Sequence, residues 1–285
     1  MSVKFSKQPH IDSSPTYVVE SQVSLRDLGL TDIYRYRELL YLLAWRDIKV
    51  RYKQTAIGFG WAVIQPVMTM VIFTIIFGNF AGIPSDDVPY PIFAYAALLP
   101  WTYFSSAMSR AGNSLVAESG IINKVYFPRL IIPISATLAP LVDLLLALTV
   151  AFGLMVWYGI FPSWHIVSLP IFVFIAMLTS LSVSLWLSSL NVWYRDVRYA
   201  LPFFVQAWMY ASPIIYPVSI IPEKWRFLYG LNPIVGVIDG FRWALLGTNS
   251  PDLNVMVASI IGMLLILFGG LIYFSRTERS FADII

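Results

Sequence analysis

Six apolar runs divide the chain, at positions 61–83, 88–109, 130–158, 166–194, 199–222 and 253–275. A helix needs about 20 apolar residues to cross a hydrocarbon core of ~30 Å, and each run is long enough. Asp143, in the third, is the lone charged side chain in any of them. Backbone groups in lipid must be satisfied within the segment, which selects helices, and the short alternating segments of a barrel do not occur. The pattern predicts an all-α integral membrane protein with six transmembrane helices.

Between and before the runs the pattern changes three times. Residues 1–30 are polar and read as a cytoplasmic N-terminal lead without the apolar core of a cleavable signal. Over 31–55, Ile33, Tyr36, Leu39, Leu40 and Leu43 recur at three- and four-residue spacing, predicting an amphipathic interface helix. It ends in a basic run that holds Arg46, Asp47, Lys49, Arg51 and Lys53. Such a helix lies flat at a membrane surface or meets a cytoplasmic partner. The remainder, 56–285, reads as one transmembrane domain.

After the second run, positions 118–129 mix Glu118, Ser119 and Lys124 with Ile121, Ile122, Val125 and Phe127, and stop at Pro128. A solvated loop has no use for those apolar side chains. The spacing predicts a short helix pressed against headgroups or a protein. Positions 191–198 repeat the pattern more weakly. Between runs five and six, 220–253 is too long and apolar for a plain loop. Gly230, Pro233, Gly236 and Gly240 interrupt it, and it carries Asp239 and Arg242. A seventh span would strand Arg276 and Arg279 on the wrong side, so a re-entrant pair of short helices is expected there.

Composition agrees with a membrane setting: 58% of residues are hydrophobic and 12% charged, against roughly a quarter charged in soluble domains. Nine of the 19 Lys and Arg residues precede the first run. Arg110, Lys124, Arg129, Arg195, Arg198, Arg276 and Arg279 fall on the same side, whereas the opposite side receives Lys224, Arg226 and Arg242. Basic residues stay cytoplasmic, which places both termini there. The net charge of +3 is that collar and points away from nucleic acid. There is no cysteine, and His10 and His165 lack metal-ligand spacing, so no metal site is expected. No Gly-Lys pair occurs, which excludes a phosphate-binding loop, and no hydrolase motif is present. The chain therefore reads as a non-enzyme with no catalytic residue of its own.

Two features carry alternatives. Asp143, as an intramembrane acid, either serves proton coupling or hydrogen-bonds a neighbouring helix or a local break. Aromatic residues make up 16% of the chain, and Tyr90, Phe93, Tyr95, Trp101, Tyr103 and Phe104 form a dense cluster. These rings either line a pore that passes a sugar polymer or belong to an interfacial belt or core.

The basic run from Arg46 to Lys53, followed by Gly58-Phe59-Gly60-Trp61 and Gln65-Pro66, resembles the entry of ABC-2 type polysaccharide export permeases. So do Glu118-Ser119 through Phe127-Pro128-Arg129, Asn191-Val192 with Arg195-Asp196-Val197, Ala211-Ser212-Pro213-Ile214-Ile215-Tyr216-Pro217, and Leu231-Asn232-Pro233 with Gly240-Phe241-Arg242. The resemblance implies the membrane subunit of an exporter in the bacterial inner membrane. It implies a homodimer joined by two cytoplasmic ATPase subunits that bind ATP and Mg, with no cofactor on this chain. The cargo would be a lipid-linked polysaccharide of the O-antigen, capsule or teichoic-acid kind. Glu118, Ser119, Ile121, Ile122, Lys124 and Val125 would form the ATPase-coupling helix, with Arg46, Asp47, Lys49 and Arg51 on the adjoining gate helix. Glu223, Trp225, Arg226, Asn232, Pro233, Asp239 and Arg242 would belong to an outer gate. Competing readings are an ABC-2 exporter of a drug or lipid, a proton-coupled secondary transporter, and a scaffold without transport.

Overall fold

The computed structural model describes residues 30–53 and 58–284. The expected lead, except its last position, lies outside the described residues, as do the last two positions assigned to the interface helix. Among the described residues every regular element is helical.

The interface helix forms in two pieces, α1 (Leu30–Arg35) and α2 (Arg37–Lys53). Its stripe of Ile33, Tyr36, Leu39, Leu40 and Leu43 packs with Leu115, Ile122, Phe127, Ile131 and Phe281 in one cluster. That face therefore covers protein. The other face exposes Leu42 and the amphipathic rings of Tyr34, Tyr41 and Trp45, which suit headgroup depth.

Next come α3 (Gly60–Phe73), which widens into a π turn over Thr74–Phe80, and α4 (Tyr90–Ala117). After the single turn α5 (Ser119–Ile122) the chain enters α6 (Ile131–Leu138) and α7 (Pro140–Trp157). Pro140 lacks an N–H, so the third apolar run is jointed there rather than regular throughout. A 3₁₀ turn at Trp164–Ser168 leads into α8 (Leu169–Trp193), followed by α9 (Val197–Tyr210). The last elements are α10 (Glu223–Gly230), α11 (Pro233–Leu246), α12 (Leu253–Thr277) and the short α13 (Phe281–Ile284).

Four segments are long and apolar enough to cross a bilayer: Gly60–Phe80, Ile131–Trp157, Trp164–Trp193 and Leu253–Thr277. The expected second span corresponds to α4, whose 28 residues supply the length. Its Pro, Ser, Tyr and Trp content makes it less apolar than the other four. It is the central helix, packed against α3, α6, α7, α8 and α11, so its surroundings are protein and such polarity is tolerated.

The expected fifth span differs from the observed structure. Only its first half, to Tyr210, is α-helical, within α9, which is 14 residues long in all, about 21 Å at 1.5 Å per residue. The remainder, rich in Pro, folds inward with Ser212, Ile214 and Ile215 buried. Non-helical backbone needs its carbonyls satisfied by protein. Here the Tyr90 hydroxyl donates to the Ile215 carbonyl at 2.8 Å, and Arg242 Nη2 donates to that of Ile214 at 2.9 Å.

The stretch between α9 and α12 does hold a pair of short helices, α10 and α11, joined at Leu231-Asn232. Glycines let this pair sit close to its neighbours. A Cβ on Gly262 of α12 would lie 2.2 Å from the Leu231 carbonyl oxygen, and one on Gly240 would lie 2.1 Å from the Phe172 ring.

Candidate functional site

The two segments expected to meet a cytoplasmic partner are bolted to each other. Arg46 of α2 faces Glu118, the residue between α4 and α5. Its Nη2 donates to Glu118 Oε1 at 2.5 Å and its Nη1 to Oε2 at 3.0 Å. The same guanidinium holds Asp47 Oδ1, with Nη2 at 2.8 Å and Nε at 3.1 Å. A planar fork matched to a carboxylate is the stronger form of ion pair. Hydrogen bonding to Glu118 holds the Arg46 guanidinium above its already high ordinary pKa, against the opposing pull of burial. Lys49 instead sits over the Trp45 ring, 5.4 Å from its centre.

One and a half turns further along α2, Arg51 forms an ion pair with Asp143 and the Tyr52 hydroxyl donates to the same carboxylate. Asp143 lies in the first turn of α7, just past the Pro140 joint. Its carboxylate thus ties the interface helix to the bundle. Of the alternatives for this acid, the geometry is that of a hydrogen bond to a neighbouring helix. Burial, then the bond to Asp143, push the Tyr52 phenol well above its ordinary pKa. Tyr52 carries no sequence signal of this role beyond its place in the basic run.

The helix expected over 118–129 is one turn long. Ile122 and Phe127 are buried and Ile121 is partly buried against the same cluster, so these three side chains anchor the turn. Ile122 is thereby removed from the surface a partner could touch, whereas Ile121 keeps part of its area exposed. Asn123, Lys124, Val125 and Tyr126 point outward, with Tyr126 92% exposed. Tyr126 was not singled out from the sequence; an aromatic ring among loop residues gives no periodic signal. The exit of the turn is braced from the chain's far end. The Arg129 backbone N–H donates to Glu278 Oε1 at 2.9 Å, and the Arg129 side chain donates to the Glu278 carbonyl. Phe281 is fully buried and meets Phe274 edge to face, 5.4 Å between centres.

The aromatic cluster on α4 requires a correction. Tyr90, Phe93, Tyr95, Trp101, Tyr103 and Phe104 are all buried in the principal core. Tyr95 and Tyr103 donate to the carbonyls of Ala147 and Thr137, each at 3.1 Å. As the central helix, α4 has no free face for such rings to present, so they fill the subunit and do not line a path through it. The exposed rings are elsewhere, including Tyr199, Phe203, Phe204 and Tyr210 on α9.

The residues expected in an outer gate divide into two groups. Glu223 and Trp225 are exposed on α10. The others act as staples. Asn232 caps α11, accepts from Trp208 Nε1 at 2.9 Å and donates to Ser212 Oγ at 3.2 Å. Pro233 occupies the first turn of α11, where its missing N–H costs nothing. Arg226 Nη1 reaches Asp252 Oδ2 at 3.1 Å, and Asp239 shares a small polar cavity with Arg226, Arg242 and Asp86. Arg242 is 2% exposed, and its guanidinium carbon lies 3.6 Å from the centre of the Phe93 ring. Trp208, which joins this outer pair to Phe104 of the core, has no marker in the sequence. Among the described residues no group of His, Asp or Glu could hold a metal ion.

An all-helical bundle with four segments long and apolar enough to cross a bilayer is the architecture of an integral membrane protein. The chain belongs to the ABC-2 type transporter family, whose model matches residues 38–246. As a permease of that family it works with a separate ATP-binding subunit and is not itself an enzyme. It is similar to the O-antigen export system permease protein RfbA of Myxococcus xanthus, 27% identical over 255 residues, covering 88% of this chain and 97% of that protein. An RfbA of Klebsiella pneumoniae is 29% identical over 252 residues, with 87% and 95% covered. The polysialic acid transport protein KpsM of Escherichia coli is 25% identical over 248 residues, with 85% and 93% covered.

Proposed function

We propose that this chain is the permease of an ATP-driven exporter that moves a lipid-linked polysaccharide, of the O-antigen kind, across a bacterial inner membrane. The supporting observation is similarity along nearly the full length of permeases named for O-antigen and polysialic acid. Two copies pair, each crosses the membrane six times with both termini cytoplasmic, and two ATPase subunits carry ATP and Mg. The six crossings are α3 with its π turn, α4, α6–α7, α8, α9 with the irregular segment after it, and α12. The α10–α11 pair enters from the outer side and returns.

The packed core around α4 supports the pairing. With those rings filling the subunit, a polymer path has to run between copies, and the exposed rings of α9 supply an aromatic surface for it. Flat rings hold sugar C–H faces through many small dispersion contacts, which suits a chain that must keep sliding.

The contacts between α2, the turn α5 and α7 support a route for coupling. A partner that moves residues 123–126 pulls on a turn anchored by Ile122 and Phe127. Through Glu118 the pull reaches Arg46 and α2, and through Arg51 and Tyr52 it reaches Asp143 and α7. Packed helices transmit such rigid-body shifts because they repack between discrete arrangements. The proposal is tested by depleting the protein and locating the glycan. Lipid-linked polymer accumulating inside while surface polymer disappears supports it. Normal surface polymer with no internal accumulation rejects it in favour of a different cargo.

A further inference from the structure

The cytoplasmic end of the bundle holds a basic cavity that the coupling route does not use. It measures about 410 Å³, within the range of roughly 300–1,000 Å³ in which small ligands bind. Ser119 of the coupling turn, Asn191 and Val192 at the end of α8, Arg195 and Arg198 around the start of α9, and Ile284 form its wall. No described carboxylate lines it, and neither arginine forms an ion pair among the described residues. The α2 arginines Arg46 and Arg51, by contrast, are both committed to acids. Arg198 leans over its neighbour Tyr199, 5.4 Å from ring centre to guanidinium carbon, and both arginines are exposed.

We propose that this cavity is a binding site for the phosphate of an anionic phospholipid from the cytoplasmic leaflet. The chemistry its lining offers is two guanidinium forks and a hydroxyl together with the apolar side chains of Val192 and Ile284. That combination fits a phosphodiester attached to glycerol and acyl carbons better than a fully hydrated ion. Its depth fits too: Tyr199 in its lining, and Trp193 and Tyr194 next to Val192 in the chain, are exposed rings, of the kind that settles at headgroup level. Basic pockets between helices on the cytoplasmic side are recurrent headgroup sites. Ser119 belongs to the coupling turn, so a lipid bound here touches the element a partner must move. The proposal does not depend on which cargo the transporter carries.

The test uses the full-length permease complexed with its ATPase, purified from nanodiscs containing phosphatidylglycerol and phosphatidylcholine, with bound lipid read by native mass spectrometry. Each basic residue near an anionic headgroup contributes a factor of about five. Replacing Arg195 and Arg198 together by Gln is therefore expected to lower phosphatidylglycerol retention roughly 25-fold. The double Lys variant keeps the charge and is expected to keep most of the lipid, which separates loss of the site from loss of the fold. Removing equal charge from the same collar, by Arg35→Gln with Arg37→Gln, is expected to leave retention unchanged. The proposal is overturned if the Arg195/Arg198 Gln variant retains lipid as the parent does, or if the Arg35/Arg37 variant loses it equally. It is also overturned if millimolar inorganic phosphate displaces the lipid, which would make this a soluble-anion site. Retention only after the ATPase is removed would overturn it as well, because the cavity would then be a partner contact.

Discussion

The link between Arg46 and Glu118 has a magnitude that its geometry sets. Two charge-assisted contacts, 2.5 and 3.0 Å long, join the side chains. At effective dielectric of about 20, opposite charges some 4 Å apart attract by roughly 4 kcal/mol before any cost is subtracted. The side chains are 38% and 22% exposed, so water and salt screen much of that, and exposed pairs usually yield about 0.2–1 kcal/mol. Bidentate geometry and partial burial raise the value. A net coupling of about 1–2 kcal/mol is expected, a factor of roughly 5–30. Asp47 shares the guanidinium at 2.8 Å, so Arg46→Gln is expected to do more damage than Glu118→Gln. The assay is a double-mutant cycle on ATP hydrolysis by the partner subunit in complex with the permease, at fixed lipid composition. The charge swap Arg46→Glu with Glu118→Arg is expected to recover part of the rate that either single reversal loses, and the coupling should shrink between 0.1 and 1 M salt. Additive effects, with an interaction term within about 0.3 kcal/mol of zero, would refute the idea that this pair carries motion between the two segments.

Other substitutions test other parts of the structure. Phe104→Ala empties a fully buried site and is expected to cost about 3–5 kcal/mol of stability, read as loss of folded permease in detergent. Phe203→Ala, on the exposed face of α9, should leave folding intact and alter transport. Arg242→Lys should behave nearly as badly as Arg242→Gln, because an ammonium cannot reproduce a planar fork bonded to three carbonyls and stacked on Phe93; thermal-shift measurements would show both losing several degrees. Tyr52 tests the sign of a titration. Its phenol pKa is raised by burial and by Asp143, so its contribution is fully present below the ordinary tyrosine range and is lost only as pH climbs through the raised value. The loss of stability in Tyr52→Phe should therefore be constant from pH 6 to 9, and a dependence within that window would count against the assigned hydrogen bond.

Much of the bundle could be read from periodicity because lipid and core both reward apolar area. The stripe from Ile33 to Leu43 was visible as a helix face, and the structure places all five side chains in one cluster. Its neighbour was not visible: the stripe packs on protein, and period alone does not distinguish a lipid surface from a protein surface. The same ambiguity explains the α4 rings. Six aromatic residues in fifteen positions mark a special helix in either case, and only the surrounding helices show that it is central. The irregular second half of the fifth run was hidden for another reason. Hydropathy does not report where prolines end a helix, so nothing in the run showed that the chain leaves helical geometry between Ser212 and Pro217. Arg242 held the clue, since a lone buried guanidinium needs carbonyls, and irregular backbone is where spare carbonyls occur. Glu118 and Arg46, 72 residues apart, were each placed in a coupling segment, but no sequence pattern connects such distant partners.

The most direct test of the central claim is transport in a defined system. Permease and ATPase partner are reconstituted in proteoliposomes with lipid-linked O-antigen supplied on the side where the ATPase is exposed, and polymer on the far side is measured with an enzyme that cannot enter. ATP-dependent appearance of polymer on the far side is expected, and its loss when Arg46 and Asp143 are each replaced by Ala. Polymer that stays on its original side while the ATPase turns over, or crosses without ATP, would contradict it.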